Sequence, residues 1–84
     1  GNTTVTNEST ILADATAGNI IVTLPSSFVV TTKIITIKKV DASVNTVTIT
    51  PQGGEFIDGA ATKVISTQYD YYQIQSDGIN WYIV

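Results

Sequence analysis

The chain of 84 residues contains no cysteine, histidine, arginine or methionine. Without cysteine it can form no disulfide, and without cysteine or histidine it lacks the ligands that structural zinc sites use. Calcium sites need clustered oxygen ligands, and the Asp58-Gly59 and Asp77-Gly78 pairs are too sparse for such a cluster. We therefore expect no metal and no cofactor.

Charge is also scarce. Four lysines stand against seven acidic residues, and charged residues make up 13 % of the chain, about half of the usual ~25 %. A nucleic-acid-binding surface needs clustered positive charge, commonly with arginine, so we expect no nucleic-acid partner. No apolar run reaches the ~20 residues of a membrane span, so we expect no membrane insertion. A surface of threonine, serine, asparagine and glutamine is common in proteins that work outside the cell or pack against copies of themselves.

The residues that usually carry catalysis are missing or placed in turns. A serine nucleophile needs a base, and the chain has no histidine. Paired carboxylates need a fixed separation and one desolvated member. Five of the seven acidic residues instead stand in or beside turn signals, where such side chains hydrogen-bond the nearby backbone. We expect that the protein is not an enzyme.

What the chain has in abundance is β-branched residues. Threonine, isoleucine and valine account for 35 of the 84 positions, leucine occurs twice, and no helix-period apolar stripe is present. Branching at Cβ disfavours helices and packs well on a pleated sheet. Val47 and Ile49 alternate with Thr48 and Thr50, as in a half-buried strand. Turn signals about every 8–12 residues predict a small antiparallel β-sandwich or barrel of about 7–8 short strands. Residues 11–84 form one β domain, residues 1–10 are an initial strand or a linker, and residues 41–45 form a hairpin connection.

The strand over residues 33–41 (KIITIKKVD) has apolar residues on both faces. Ile35 and Ile37 point one way and Ile34 points the other. A domain of this size has a marginal core, and small domains often gain stability by oligomerising. We therefore expect Ile35 and Ile37 at a subunit interface. Lys38 and Lys39 fall on opposite faces, where a lysine serves either as an edge guard against aggregation or in a salt bridge between subunits.

An aromatic cluster near the carboxyl end is the one constellation that suggests binding: Tyr69, Tyr71, Tyr72, Trp81 and Tyr82. Exposed tyrosine and tryptophan rings stack on sugar faces and present polar groups to a glycan. The alternative is that the rings pair across a hairpin only to stabilise the fold. Trp81 shares a face with Ile83, and Tyr82 shares the other face with Val84. We predict that Tyr69 and Tyr71 lie at the surface and contact a receptor or glycan.

Five motifs occur in order along the chain, at residues 13–20 (ADATAGNI), 35–41 (ITIKKVD), 45–49 (NTVTI), 57–60 (IDGA) and 75–83 (QSDGINWYI). This ordered set resembles a small β module of bacteriophage tail-fibre and other virion fibre proteins, and it covers about residues 10–84. The chain departs from that module at residues 27–32, where a glycine-containing loop is replaced by Phe28, Val29 and Val30. The departure adds apolar surface, which places Phe28 and Val30 in the predicted subunit interface.

The resemblance implies a homotrimeric, non-enzymatic module at the virion surface or in the extracellular space, serving structure and attachment to a host-surface glycan or protein. It implies no activity. Because Trp81 belongs to the usual ending of that module, the resemblance also implies a core position for Trp81. Two alternatives remain open from the sequence. One is a monomeric cell-surface adhesin or carbohydrate-binding module. The other is a strand-exchanging filament subunit that donates its amino-terminal residues to a neighbour's sheet edge.

Overall fold

The computed structural model describes residues 2–5, 9–26 and 33–84. Within these ranges it has no helix and eight strands in two sheets of four, which confirms the all-β prediction with a sandwich-like arrangement. Sheet A has the order β1-β3-β5-β6 and sheet B the order β2-β4-β7-β8. The strands are β1 (Thr3–Thr4), β2 (Thr10–Ala13), β3 (Ile20–Thr23), β4 (Ile34–Lys39), β5 (Val47–Thr50), β6 (Lys63–Ile65), β7 (Tyr71–Ser76) and β8 (Trp81–Ile83).

The first five strands wind as a coil. They alternate between the two sheets, and each lies parallel to the previous strand of its own sheet, in the pairs β1–β3, β2–β4 and β3–β5. Parallel neighbours need a long crossover, and here the strand in the opposite sheet supplies it. The three later pairs, β4–β7, β5–β6 and β7–β8, are antiparallel. The predicted wholly antiparallel sandwich is thus wrong for half of the pairs. Residues 41–45 connect two sheets and are not a hairpin.

The core lies between the sheets and follows the predicted alternation. Val47, Ile49 and Trp81 are buried, as the sequence predicts. Ile35 and Ile37 are also fully buried within the single chain. Both side chains therefore pack inside the core and are not offered to a partner subunit, which corrects the predicted interface. Phe28 and Val30, the other two predicted interface residues, lie outside the described residues.

One edge of sheet B is covered by a tight turn. Ile57 and Ala60 exchange backbone hydrogen bonds of 2.9 and 2.8 Å around Asp58 and Gly59, whose φ angles are 49° and 78°. Two successive positive φ values are typical of a two-residue type I′ turn. Beside it, the amide of Trp81 donates to the Phe56 carbonyl at 2.8 Å, and the Asp58 amide donates to the Trp81 carbonyl at 3.0 Å. Segment 56–60 therefore covers the outer edge of β8.

Candidate functional site

The outer face of sheet B is the surface of β2, β4, β7 and β8 that points away from the core. Strand register arranges its side chains in rows across the sheet. Since cross-strand partners lie about 5 Å apart on one face, each row forms a continuous strip. The rows are Leu12–Lys38–Tyr71, then Thr10–Thr36–Gln73, then Ile34–Gln75–Tyr82.

The two predicted contact residues, Tyr69 and Tyr71, both lie beside Lys38. Tyr71 is opposite Lys38 in the sheet register and is 52 % exposed. Tyr69 is 62 % exposed, and the Lys38 ammonium lies 5.6 Å from the centre of its ring. That distance is typical of a cation–π contact. The contact holds the Tyr69 ring next to Lys38, beside the outer face of sheet B. The predicted surface position of both rings is confirmed, while their role in binding stays a prediction.

The backbone at Tyr69 is held in an uncommon conformation. Its φ is +69°, a value that costs a bulky residue about 1–3 kcal/mol. The Tyr69 amide donates to the Lys39 carbonyl at 2.7 Å, and the Asp70 amide donates to the Thr67 carbonyl at 3.1 Å. These hydrogen bonds fix the turn that leads into β7. Strained backbone conformations cluster at active sites and ligand-binding sites. The strain at Tyr69 therefore agrees with the prediction that its ring contacts a ligand.

Tyr82 is a third ring on the same face, and the sequence prediction did not select it. It is exposed and lies opposite Gln75. Because Gln75 is four residues beyond Tyr71 on β7, the two rings stand roughly 13 Å apart along the strand direction. Gln73 lies between them, with its amide nitrogen 3.4 Å from the Thr36 hydroxyl. The alternation with buried Trp81 was the signal that could have identified Tyr82.

The turn between β7 and β8 supports that ring. The backbone amides of Asn80 and Ile79 each donate to the Asp77 carboxylate at 2.9 Å. These two hydrogen bonds are the main reasons that the pKa of Asp77 is lowered, and the Tyr82 hydroxyl contributes a smaller effect in the same direction. The carboxylate that orders the turn therefore also interacts with the end of the Tyr82 side chain.

A second cluster, made of charged and polar side chains, is buried. Lys39 is fully buried on β4, and its ammonium donates to the Asp41 carboxylate at 2.9 Å, the Asp41 carbonyl at 2.9 Å and the Ser43 carbonyl at 3.0 Å. Since an ammonium has three donors, all are engaged. β4 lies between β2 and β7, so neither Lys38 nor Lys39 protects a sheet edge. Lys39 forms its ion pair within the chain. Both predicted roles of Lys39 are corrected.

Asp41 joins separate loops through this cluster. Its carboxylate accepts a close hydrogen bond from the Ser43 hydroxyl and one of 2.8 Å from the Ala15 amide. These two interactions, the hydroxyl first, hold the pKa of Asp41 far below its usual value. The Asn45 side chain also donates to the Ala15 carbonyl at 2.8 Å. The cluster therefore ties the β2–β3 loop to the β4–β5 loop and leaves no free nucleophile.

No three acidic side chains in the described ranges come close enough together to hold a metal ion. No helix that could cross a membrane is found among the same residues. Neither a known protein family, nor a curated protein, nor a solved structure matches this chain. The likeness to virion fibre modules thus depends on the sequence motifs alone.

Proposed function

We propose that this chain is a non-enzymatic attachment module of an extracellular fibre or virion appendage, and that it binds a surface glycan with the outer face of sheet B. The observation that carries the proposal is the placement of Tyr71 and Tyr82 on one exposed face, with Tyr69 beside it. Lys38 lies beside Tyr69 and Tyr71, and Gln73 lies between Tyr71 and Tyr82. The spacing of roughly 13 Å suits an oligosaccharide better than a single sugar.

The chemistry of the face fits a ligand rich in hydroxyl groups. Its polar groups are phenols, carboxamides, threonine hydroxyls and one ammonium, and Leu12 and Ile34 add two exposed aliphatic side chains. Aromatic rings offer apolar faces for stacking, and the amides provide both donors and acceptors. Tyr71 and Tyr82 stand on strands, and hydrogen bonds fix the turn that carries Tyr69. A site held in place in this way loses little conformational entropy when it binds.

The second part of the proposal is that the chain belongs to a fibre or virion appendage. It is supported by the ordered sequence motifs and by the coil of β1 to β5, a form of winding that suits an elongated assembly. The resemblance also implies a homotrimer. Ile35 and Ile37 give no support for it, since both are buried within one chain. The filament alternative has less support, because β1 and β2 pair with β3 and β4 of the same chain.

A panel of immobilised bacterial and animal surface polysaccharides tests the glycan proposal. We expect the chain to bind at least one of them, and Tyr71→Ala to weaken that binding by about tenfold or more, as truncation of a central aromatic contact does. Tyr71→Phe keeps the ring and should retain most of the affinity. Val64→Ala, at an exposed position on β6 of sheet A, is the matched control. Equal losses in Tyr71→Ala and Val64→Ala, or no binding to the panel, would refute the proposal.

A further inference from the structure

We propose that the open edge of sheet B is a self-association site, at which β2 pairs antiparallel with β2 of a second copy of this chain, centred on Leu12. This inference goes beyond the proposed glycan binding, because it concerns the sheet edge formed by β2 rather than the tyrosine-bearing face. It rests on three features of the edge: its free backbone groups, its lack of charge and the hollow beside it.

The backbone groups are the first feature. The Thr36 amide donates to the Ser9 carbonyl at 2.8 Å, and the Val40 amide donates to the Ala13 carbonyl at 2.9 Å. Alternate residues of a parallel strand face the same neighbour, so Thr10 and Leu12 direct their N–H and C=O groups away from β4. In the described part of the chain, β2 pairs with β4 alone. A row of free backbone groups is a template for another strand.

The lack of charge is the second feature. Edge strands are commonly protected by lysine or another charge. β2 (TILA) has none, and Leu12 is 67 % exposed on it. The opposite edges differ: β6 carries Lys63, and segment 56–60 covers β8. The two ends of the sandwich are therefore unequal. Among the residues described, β1 (TT) is also an exposed, uncharged edge strand, but it is only two residues long, so β2 offers the longer uncharged edge.

The hollow is the third feature. A space of about 390 Å³ opens between β1 and β2 at this end, and its lining includes Thr3, Ile11, Ala13 and Ile20. Ile11 is only partly buried, although it packs against the core. Ala13 and Ile20 are buried, so Ile11 is the side chain of this lining that packs against the core and stays partly exposed. An occupant that adds a strand to β2 and an apolar side chain above the hollow would cover Ile11.

The register favours a second copy as that occupant. In an antiparallel pair, opposite residues share a face, so a two-fold axis at Leu12 sets Leu12 against the second copy's Leu12 and Ile11 against the second copy's Ala13. The two leucines cover each other on the outer face, while the isoleucine and alanine meet above the hollow. Thr10 then faces the second copy's Asp14, a hydroxyl opposite a carboxylate. No like charges oppose each other within β2, although the whole chain has a net charge of −3.

Light scattering across a dilution series tests the pairing. The complete chain should give the mass of a dimer that dissociates on dilution, and Leu12→Lys should give a monomer at every concentration. Because Leu12 is largely exposed, the variant should keep the circular dichroism of the native fold. Val64→Lys is the matched control: Val64 lies on edge strand β6 and is 48 % exposed, and this change should leave the dimer intact.

A disulfide provides the geometric test. At a hydrogen-bonded antiparallel pair the Cα atoms are about 5.5 Å apart, which suits a disulfide. Since the chain has no cysteine, Leu12→Cys should form a single covalent dimer under mild oxidation, and Val64→Cys should not. A monomeric or trimeric wild-type chain, a dimer unaffected by Leu12→Lys, or equal cross-linking at both positions would overturn the proposal.

Discussion

Replacing Ile37 with alanine should destabilise the fold of the single chain. Ile37 is fully buried between the sheets, opposite Tyr72 in the strand register. Truncating a buried isoleucine removes its transfer free energy and leaves a cavity, which together cost about 2–5 kcal/mol. A domain of this length has a free energy of unfolding of roughly 4–13 kcal/mol. The variant should therefore lose a large part of its stability.

Ile34→Ala is the matched control, because the same chemical change is made three residues earlier on the same strand. Ile34 points to the outer face and is 46 % exposed. Less apolar area returns to water and no enclosed cavity forms, so we expect a loss of about 1 kcal/mol or less. The difference between the two variants measures how completely the sheets enclose Ile37.

Urea unfolding followed by circular dichroism, at several protein concentrations, is the assay. With a slope of about 1–3 kcal/mol per molar urea, a cost of about 2–5 kcal/mol means that Ile37→Ala should lower the midpoint by roughly 0.7–5 M. An effect within one chain gives the same difference from wild type at every protein concentration, whereas a subunit interface makes that difference depend on concentration. A concentration-dependent difference, or an equal cost for Ile34→Ala, would refute the placement of Ile37 in the core.

Three further predictions concern the loops and the core. The lowered pKa of Asp41 means that its contribution to stability is complete above its unfolded pKa of about 3.9 and is lost as the pH falls below that value. Urea unfolding at pH 7 and pH 3 should therefore show that Asp41→Asn loses less stability on acidification than wild type does. Gly59→Ala should cost about 1–2 kcal/mol through its positive φ alone, while Gly53→Ala, which also has open space around it, should cost less in the same urea titration. Trp81 is fully buried, so iodide should quench its fluorescence far less in the native chain than in urea.

The sequence predicts the faces of the strands better than their partners. The alternation around Val47 and Ile49 specifies which side chains point inward, and the structure confirms it. The same alternation is expected of a parallel and of an antiparallel strand, since side chains point to opposite faces in both. The parallel coil of β1 to β5 therefore could not be recognised from periodicity. The connections gave no help, because a loop between two sheets has the same composition as a hairpin turn.

Two specific errors have physical causes. The apolar side chain of Ile34 suggested a second buried face, but a single exposed isoleucine is ordinary on a protein surface. The charge of Lys39 predicts that it faces solvent at a sheet edge or pairs with a second subunit. It stands, however, at an inward position in the alternation set by Ile35 and Ile37, and Asp41 and Ser43 follow it at spacings that let both reach its ammonium. That spacing was the available signal for a buried ion pair.

The sequence predicts part of the proposed site. The sequence predicts Tyr69 and Tyr71 as surface rings, and the structure places both on or beside one exposed face. Their proximity to Lys38 depends on the pairing of β4 with β7, and the position of Tyr82 on the same face depends on the pairing of β7 with β8. Such relations are set by strand register, which no local pattern in the sequence specifies.

The measurement that tests the central claim most directly is a nuclear magnetic resonance titration of the isotopically labelled chain with a polysaccharide fragment that it binds. The account predicts that the shifted resonances belong to Lys38, Tyr69, Tyr71, Gln73 and Tyr82, all on or beside the outer face of sheet B. Shifts centred on Thr48 and Val64 of sheet A, with those five residues unchanged, would contradict it.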